Sequence, residues 1–145
     1  MSTTPDTPPA GPRSDGHRPS SLLLLSNEMV RIYKERFGRG PTKARSNFVG
    51  PDAVICILEN TFTPAEKSLQ KMGEHQRLRD MRIFLQYASA EEFTGAVQRV
   101  LGRPVRGFIS GVDTKTDIAC ELFTFDADPS TDGDSDHVEA AASTP

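Results

Sequence analysis

The segment from Phe37 to Arg45, FGRGPTKAR, ends one element and prevents the chain from continuing in the same direction. Gly38 stands where the residue after a helix adopts a positive φ. Pro41 fixes its own φ and lacks the N–H that a resumed helix would need. The sequence therefore predicts a helix that turns sharply into a strand at this point.

The same segment carries several cations on what should be a constrained turn. Cationic side chains beside exposed backbone amides are a common way to build an anion site. The residues predicted to bind an anion or a protein partner are Gly38, Arg39, Gly40, Pro41, Thr42, Lys43 and Arg45. The alternative is a purely structural corner, whose cations keep it soluble and interact favourably with the negative end of the preceding helix dipole.

Hydrophobic patterns on either side of this segment predict helices and strands in the order α, β, β, α, α, β, β. Apolar residues recur at helical spacing from 21 to 37. Two hairpins are predicted, one from residues 43–49 and 53–58 and one from residues 105–110 and 118–125. The fold class is therefore a two-layer α+β domain, in which helices cover one face of a four-stranded, mainly antiparallel sheet.

Two helix starts are predicted between the hairpins. Thr63-Pro64-Ala65-Glu66 has the pattern of a capping box with proline in the first turn, and its helix should continue to about Tyr87. Ser89-Ala90-Glu91-Glu92 predicts a second capping box and a helix that ends at Gly102. One long bent helix fits the same pattern.

The sheet face opposite the helices is predicted to be apolar. Ile55, Ile57, Phe123 and Phe125 are the residues that indicate it. The simplest cover for such a face is a second copy of the chain, so we expect a homodimer.

The 145 residues divide into one domain, at residues 20–126, and two polar tails. Residues 1–19 and 127–145 have too few apolar side chains to offset the entropy of ordering, which predicts disorder. Residues 20–125 hold 15 Lys and Arg against 12 Asp and Glu, whereas the whole chain has a net charge of −3. The acidic C-terminal tail could mimic an anionic partner, or it could only increase solubility.

Catalytic and metal-binding motifs are not found in the sequence. Cys56 and Cys120 lie in apolar, strand-like runs and should be buried thiols, since neither belongs to a CxxC motif. His75 is predicted to be solvated, and Asp113 and Asp117 to be polar groups of a turn rather than metal ligands. We expect a protein that is not an enzyme and that has neither a cofactor nor a metal.

Membrane-spanning and secretory signals are also not found. The longest aliphatic run, Leu22 to Leu25, is one helical turn, and the N-terminus does not have the pattern of a signal peptide. We expect a cytoplasmic protein, either free or peripheral to the inner face of the membrane.

Nucleic-acid binding is the main alternative function, as an RNA- or nucleotide-binding regulatory module that uses the same basic turn. Phe37 and Phe48 are predicted to be core residues, so the aromatic platforms that stack on bases are not evident. Salt dependence would separate the two functions, because binding through many phosphates weakens steeply as salt rises.

Four blocks of sequence, SNEMVRIYKE from Ser26, GRGPTKAR from Gly38, TPAEK from Thr63 and DIACELF from Asp117, resemble the MpsC-like family over residues 20–126. The family name implies a part in a Na⁺-translocating system that generates membrane potential, whose companions are linked to bicarbonate uptake. The resemblance thus implies partners among membrane ion or bicarbonate transport subunits, and it brings no catalytic residues. We expect a non-enzymatic accessory domain that binds an anion or a partner at the basic turn.

Overall fold

The computed structural model describes residues 20–126, so the two predicted disordered tails lie outside the described residues. The predicted fold class and the order of helices and strands are confirmed, with three helices rather than two between the hairpins. The elements are α1 (Ser21–Phe37), β1 (Lys43–Phe48), β2 (Ala53–Glu59), α2 (Pro64–Lys71), α3 (His75–Ala88), α4 (Ala90–Leu101), β3 (Val105–Asp113) and β4 (Ile118–Phe125).

The four strands form one antiparallel sheet in the order β1-β2-β4-β3. Each predicted hairpin is present, and β2 and β4 pair at the centre. Opposite residues form rows across the sheet, and one row, Lys43, Glu59, Ile118 and Asp113, lies at the end next to the β3–β4 turn. Because successive residues of a strand point to opposite faces, this register decides which side chains share a face.

One face of the sheet is covered by helices and holds the hydrophobic core. The strands contribute Val54, Cys56, Leu58, Ala119 and Phe123 to it, and the helices contribute Leu25, Met29, Ile32, Tyr33, Phe93, Ala96 and Val97. Full burial of a large apolar side chain contributes about 1.5–3 kcal/mol to folding, so this layer supplies most of the driving force.

The other face is open, and its prediction was partly wrong. Ile55 and Ile57 lie on it as expected, but Phe123 and Phe125 are buried on the covered face. The register pairs Val54 with Phe123, which places the odd-numbered residues of β4 inside. The open face instead receives the even-numbered residues of β4.

The predicted helix boundaries are correct where the capping residues are close to the helix end in sequence. Gly38 ends α1 with a φ of 79°, and Gly102 ends α4 with a φ of 69°. The capping box at Thr63 is confirmed, since Glu66 N donates to its hydroxyl and Glu66 Oε1 accepts from its N–H.

Two predictions about the helices between the hairpins were wrong. The helix that starts after Thr63 does not reach Tyr87, because Gly73 adopts a φ of 77° between α2 and α3. Ser89 is the N-cap residue of α4, but its side chain makes no capping hydrogen bond there. Its hydroxyl donates to the carbonyl of Leu85 at 3.0 Å, so it closes the end of α3, and Ser89 alone separates these two helices.

Candidate functional site

The basic turn, residues 38–45, comprises the connection from α1 to the edge strand β1 and the first three residues of that strand. Gly38 donates its N–H to the Lys34 carbonyl at 3.0 Å, and Thr42 donates its N–H to the Glu59 carbonyl at 3.1 Å. Pro41 has no N–H to offer. Within the described residues, hydrogen bonds of the fold therefore use two of the amides that an anion would need, and the N–H groups of Arg39 and Gly40 remain.

The three cations of the turn point to two places. Arg39 donates from Nε to the Asn60 carbonyl at 3.4 Å, beside the end of β2. Lys43 and Arg45 lie on the open face of the sheet, where Lys43 Nζ is 3.8 Å from Glu59 Oε2. Arg45 is exposed, and it forms no ion pair with any carboxylate of residues 20–126. The predicted site is thus an edge with separate cations rather than a closed anion pocket.

Asn60 holds the turn in place from the side of β2. It adopts a φ of 61°, and its side-chain Nδ2 donates to the hydroxyl of Thr42 at 3.3 Å. Its N–H donates to the carbonyl of Asp117 at 3.0 Å, which ties the basic turn to the start of β4. The position of the turn is therefore set by long-range contacts as well as by its glycines and proline.

Asp117 is a buried structural group, as well as the polar turn residue that the sequence predicted. Its carboxylate accepts three hydrogen bonds, from the N–H and hydroxyl of Thr61 and from the N–H of Phe62, at 2.9–3.0 Å. Asp113 is exposed, and a hydrogen bond from the Lys115 N–H lowers the pKa of its carboxyl. These two carboxylates serve the fold and its turn.

His75 is less solvated than predicted. Its ring is half-buried at the start of α3, and Nδ1 lies 2.9 Å from the hydroxyl of Thr114. The imidazole thus links a helix to the β3–β4 turn.

The prediction for Phe48 was wrong, because 51% of this residue is exposed. It lies on the opposite face of β1 from Lys43 and Arg45, so it does not extend their basic edge into an aromatic platform. Phe37 packs against Tyr33, as a core residue should.

Glu121, on the covered face of β4, is the centre of a buried polar cluster that the sequence analysis missed. Tyr33 donates its hydroxyl to Glu121 at 2.7 Å, Ser110 donates at 2.5 Å, and Gln86 donates from Nε2 at 3.4 Å. Burial raises the pKa of Glu121 to about 8, against the lowering effect of the hydrogen bonds from Ser110 and Tyr33 and of the charge of Arg82. Successive residues of a strand point to opposite faces, so Glu121 must share a face with Ala119 and Phe123. This alternation is the sequence signal that could have indicated a carboxyl pointing into the core.

Arg82 and Glu66 form a second buried polar contact, between α3 and α2. Arg82 makes two hydrogen bonds to the Glu66 carboxylate, at 2.7 and 2.8 Å, and a third to the Thr61 carbonyl at 2.8 Å. The Phe37 ring lies 4.0 Å from its guanidinium carbon. This pair fastens the two short helices to the end of α1.

Both cysteines are reduced thiols. Cys56 is buried and accepts a hydrogen bond from Ser46 at 3.3 Å, and burial raises its pKa to about 12. Cys120 is half-buried on the open face, so its predicted burial holds only in part. Among residues 20–126, no group of three or more His, Cys, Asp and Glu side chains could hold a metal ion.

These observations define a two-layer α+β domain with one covered and one open sheet face. No helix among the described residues is long and apolar enough to cross a membrane. A family model described as "Na+-translocating membrane potential-generating system (MpsC)" matches residues 23–127. The chain therefore belongs to the MpsC family, as its sequence blocks indicated. Searches of curated proteins and of solved structures found no match.

Proposed function

We propose that this chain is a non-enzymatic accessory component of a Na⁺-translocating system that generates membrane potential. It binds an acidic group of another component through the side chains of the basic turn. Family membership supports the link to the system. The observation that carries the contact is Arg45, an exposed guanidinium on a constrained edge that pairs with no carboxylate of residues 20–126.

Lys43 and Arg39 are held only weakly within the fold, so a partner can bind them with little loss of free energy. Lys43 and Glu59 are separated by 3.8 Å, and 65% of the lysine side chain is exposed, so their ion pair is worth less than about 1 kcal/mol. Arg39 is held by one hydrogen bond of 3.4 Å. Because Gly38 and Thr42 use their amides within the fold, side chains rather than a backbone nest supply the contact. Arginine favours carboxylates here, since its planar donors bind both oxygens.

The proposed partner is a membrane subunit with exposed carboxylates on its cytoplasmic side. The chain would bind at that surface as a peripheral component. A role in bicarbonate uptake belongs to the same proposal, since a sodium gradient can drive the uptake of an anion that is transported together with Na⁺. Self-association through the open sheet face is also included, because a component with an apolar face needs a cover for it.

The test is affinity purification of the tagged full-length protein from its native membrane fraction. The variant Arg39→Ala/Arg45→Ala is compared with a control, Arg79→Ala/Arg106→Ala, which removes the same charge from exposed arginines elsewhere. We expect wild type and control to recover subunits of the ion-translocating system, and the first variant to lose them without a change in melting temperature.

Three results would contradict the proposal. Equal recovery with both variants would show that the basic turn is not the contact. An equal loss of binding and of thermal stability in Arg39→Ala/Arg45→Ala would show that the turn is structural. Recovery of nucleic acid without a membrane subunit, with steep salt dependence, would favour the RNA- or nucleotide-binding function.

A further inference from the structure

We infer that two copies of the chain stack their open sheet faces about a two-fold axis parallel to the strands, so that β1 of each copy lies over β3 of the other. The inference rests on the self-association included in the proposed function. It does not depend on the acidic partner at the basic turn, and because it pairs Lys43 with Asp113 of the second copy, Arg39 and Arg45 are the cations that remain for that partner in the dimer.

The open face presents a continuous apolar surface across three strands. Its aliphatic and thiol side chains are Ile55, Ile57, Ile109, Ile118, Cys120 and Leu122. Ile109 is 57% exposed and Ile118 is 36% exposed. The helices of residues 20–126 pack on the other face, so no described element covers this one. Exposed apolar surface of this kind marks an association site.

The tails of the chain hold few apolar side chains that could match this surface. Outside residues 20–126, the only apolar side chains larger than alanine, apart from proline, are Met1 and Val138. A second copy, in contrast, presents the same apolar surface, and a two-fold axis makes that surface complementary to itself.

Charges at the two edges of the open face select the direction of the axis. Lys43 and Arg45 lie on β1, whereas Asp113 and Gly111 lie at the matching positions of β3. A two-fold axis parallel to the strands places each edge strand of one copy over the opposite edge strand of the other copy. It keeps the same ends of the two sheets on the same side. It therefore brings Lys43 over Asp113 of the second copy, and Arg45 over Gly111 of the second copy, where no side chain obstructs it.

The other two-fold arrangement has an axis perpendicular to the strands. It would place β1 over β1 of the second copy and would bring the two arginines at position 45 towards each other. Like charges across an interface are unfavourable, so electrostatics disfavours this arrangement.

Apolar residues also match at the centre of the inferred dimer. Ile57 lies over Cys120 of the second copy, and Ile55 lies over Leu122 of the second copy, as the rows of the sheet require. Stacked sheets pack roughly 10 Å apart, and a face of four strands and seven rows measures about 19 by 23 Å. This is at the small end of specific interfaces, so we expect a dimer that dissociates at micromolar concentration.

The experiment is analytical ultracentrifugation of the full-length protein across the micromolar range. We expect the wild type to dimerise and Ile109→Asp to remain a monomer. Phe84→Asp is the matched control, because Phe84 is 73% exposed on α3, away from the open face, and this variant should dimerise like the wild type. Circular dichroism of each variant confirms that it is folded.

A charge exchange tests the direction of the axis. Lys43→Glu and Asp113→Lys should each weaken dimerisation about tenfold, because each reverses two ion pairs per dimer. The double variant should return to within about threefold of the wild type, since it restores both pairs with their signs exchanged.

The outcomes separate this inference from the proposed function. A dimer that persists in Ile109→Asp, or a double variant that is as weak as the single ones, would overturn the arrangement. A wild type that stays monomeric would also overturn it. If that monomer still recovers the membrane subunits, the accessory role stands by itself.

Discussion

The two faces of the sheet are built from alternating residues of the same strands, yet the side chains on the two faces have different surroundings. In β4, Glu121 and Phe123 point into the helix layer, where hydrogen bonds and packing enclose them. Cys120 and Leu122 point to the open face, where no described element covers them. The covered face stabilises the monomer, and the open face is the one that the inferred dimer uses.

The polar groups of the two faces also differ in burial and in role. On the covered side, Glu121 and Arg82 are both fully buried, and Glu121 connects α1 and α3 to the sheet whereas Arg82 connects α3 to α2. On the open face, the charged residues lie on the two edge strands or, for Glu59, at the end of β2, and they keep their contact with water. Buried polar groups must be satisfied by specific partners, so they fix the placement of the helices, whereas edge charges can choose the orientation of a partner.

The largest expected effect comes from truncating adjacent residues of β4 on opposite faces. Phe123→Ala should lower the free energy of unfolding by about 3–5 kcal/mol, because it leaves a cavity in the core. Leu122→Ala should cost less than about 1.5 kcal/mol in the monomer, since its side chain is already partly exposed. Urea denaturation at low protein concentration measures both. Equal losses would show that the open face is also part of the monomer core.

Arg82→Met should destabilise the covered side by about 3–5 kcal/mol, because it leaves the Glu66 carboxylate buried without its partner. The double variant Arg82→Met/Glu66→Gln should recover part of this loss, since the amide is neutral and can still accept at the capping box. Urea denaturation is again the measurement. A double variant less stable than Arg82→Met would contradict the assignment of the cost to an unpaired charge.

The buried carboxyl of Glu121 should make stability depend on pH. Its pKa is about 8 in the folded protein against 4.5 in the unfolded chain, so the folded state holds an extra proton between these values. Stability should therefore fall as pH rises from 4.5 to 8, by up to about 1.4 kcal/mol per pH unit, and level off above 8. Thermal melts of wild type and Glu121→Gln, compared across this window, isolate the effect. Identical pH profiles would contradict it.

A smaller effect on the free energy of unfolding is expected at Gly38, where α1 ends and the chain turns towards β1. Gly38→Ala should cost about 1–2 kcal/mol, because alanine is strained at a φ of 79°. Gly40→Ala is the control, since its added Cβ would only make ordinary contacts, at 3.5 Å, with Lys34 and Val30. Similar melting temperatures for these two variants would show that the corner does not depend on the positive φ.

Sequence reasoning succeeded where structure depends on near neighbours along the chain. The helix end at Gly38 and the capping box at Thr63 are set by residues a few positions apart, and both were predicted. Phe123 was assigned to the wrong face because the face of a strand depends on its register with a strand distant in sequence. The helix that was predicted to continue to Tyr87 is interrupted at Gly73, which adopts a positive φ.

The candidate site was predictable to a similar extent. The sequence identified the cations and the turn that carries them. It could not show that the Glu59 carbonyl accepts a hydrogen bond from the Thr42 N–H, or that the Asn60 carbonyl accepts one from Arg39. Both bonds depend on the pairing of β1 with β2. The cluster around Glu121 joins residues from four elements, so it is visible only in the folded chain.

The most direct test of the division between the two faces is the concentration dependence of thermal unfolding in the wild type and in Ile109→Asp. If the open face is an association surface, the melting temperature of the wild type rises with protein concentration, because a dimer is stabilised by mass action. Ile109→Asp should melt at a temperature that does not change with concentration. A wild type with the same concentration-independent melting would contradict the account, since the open face would then have no second copy to cover it.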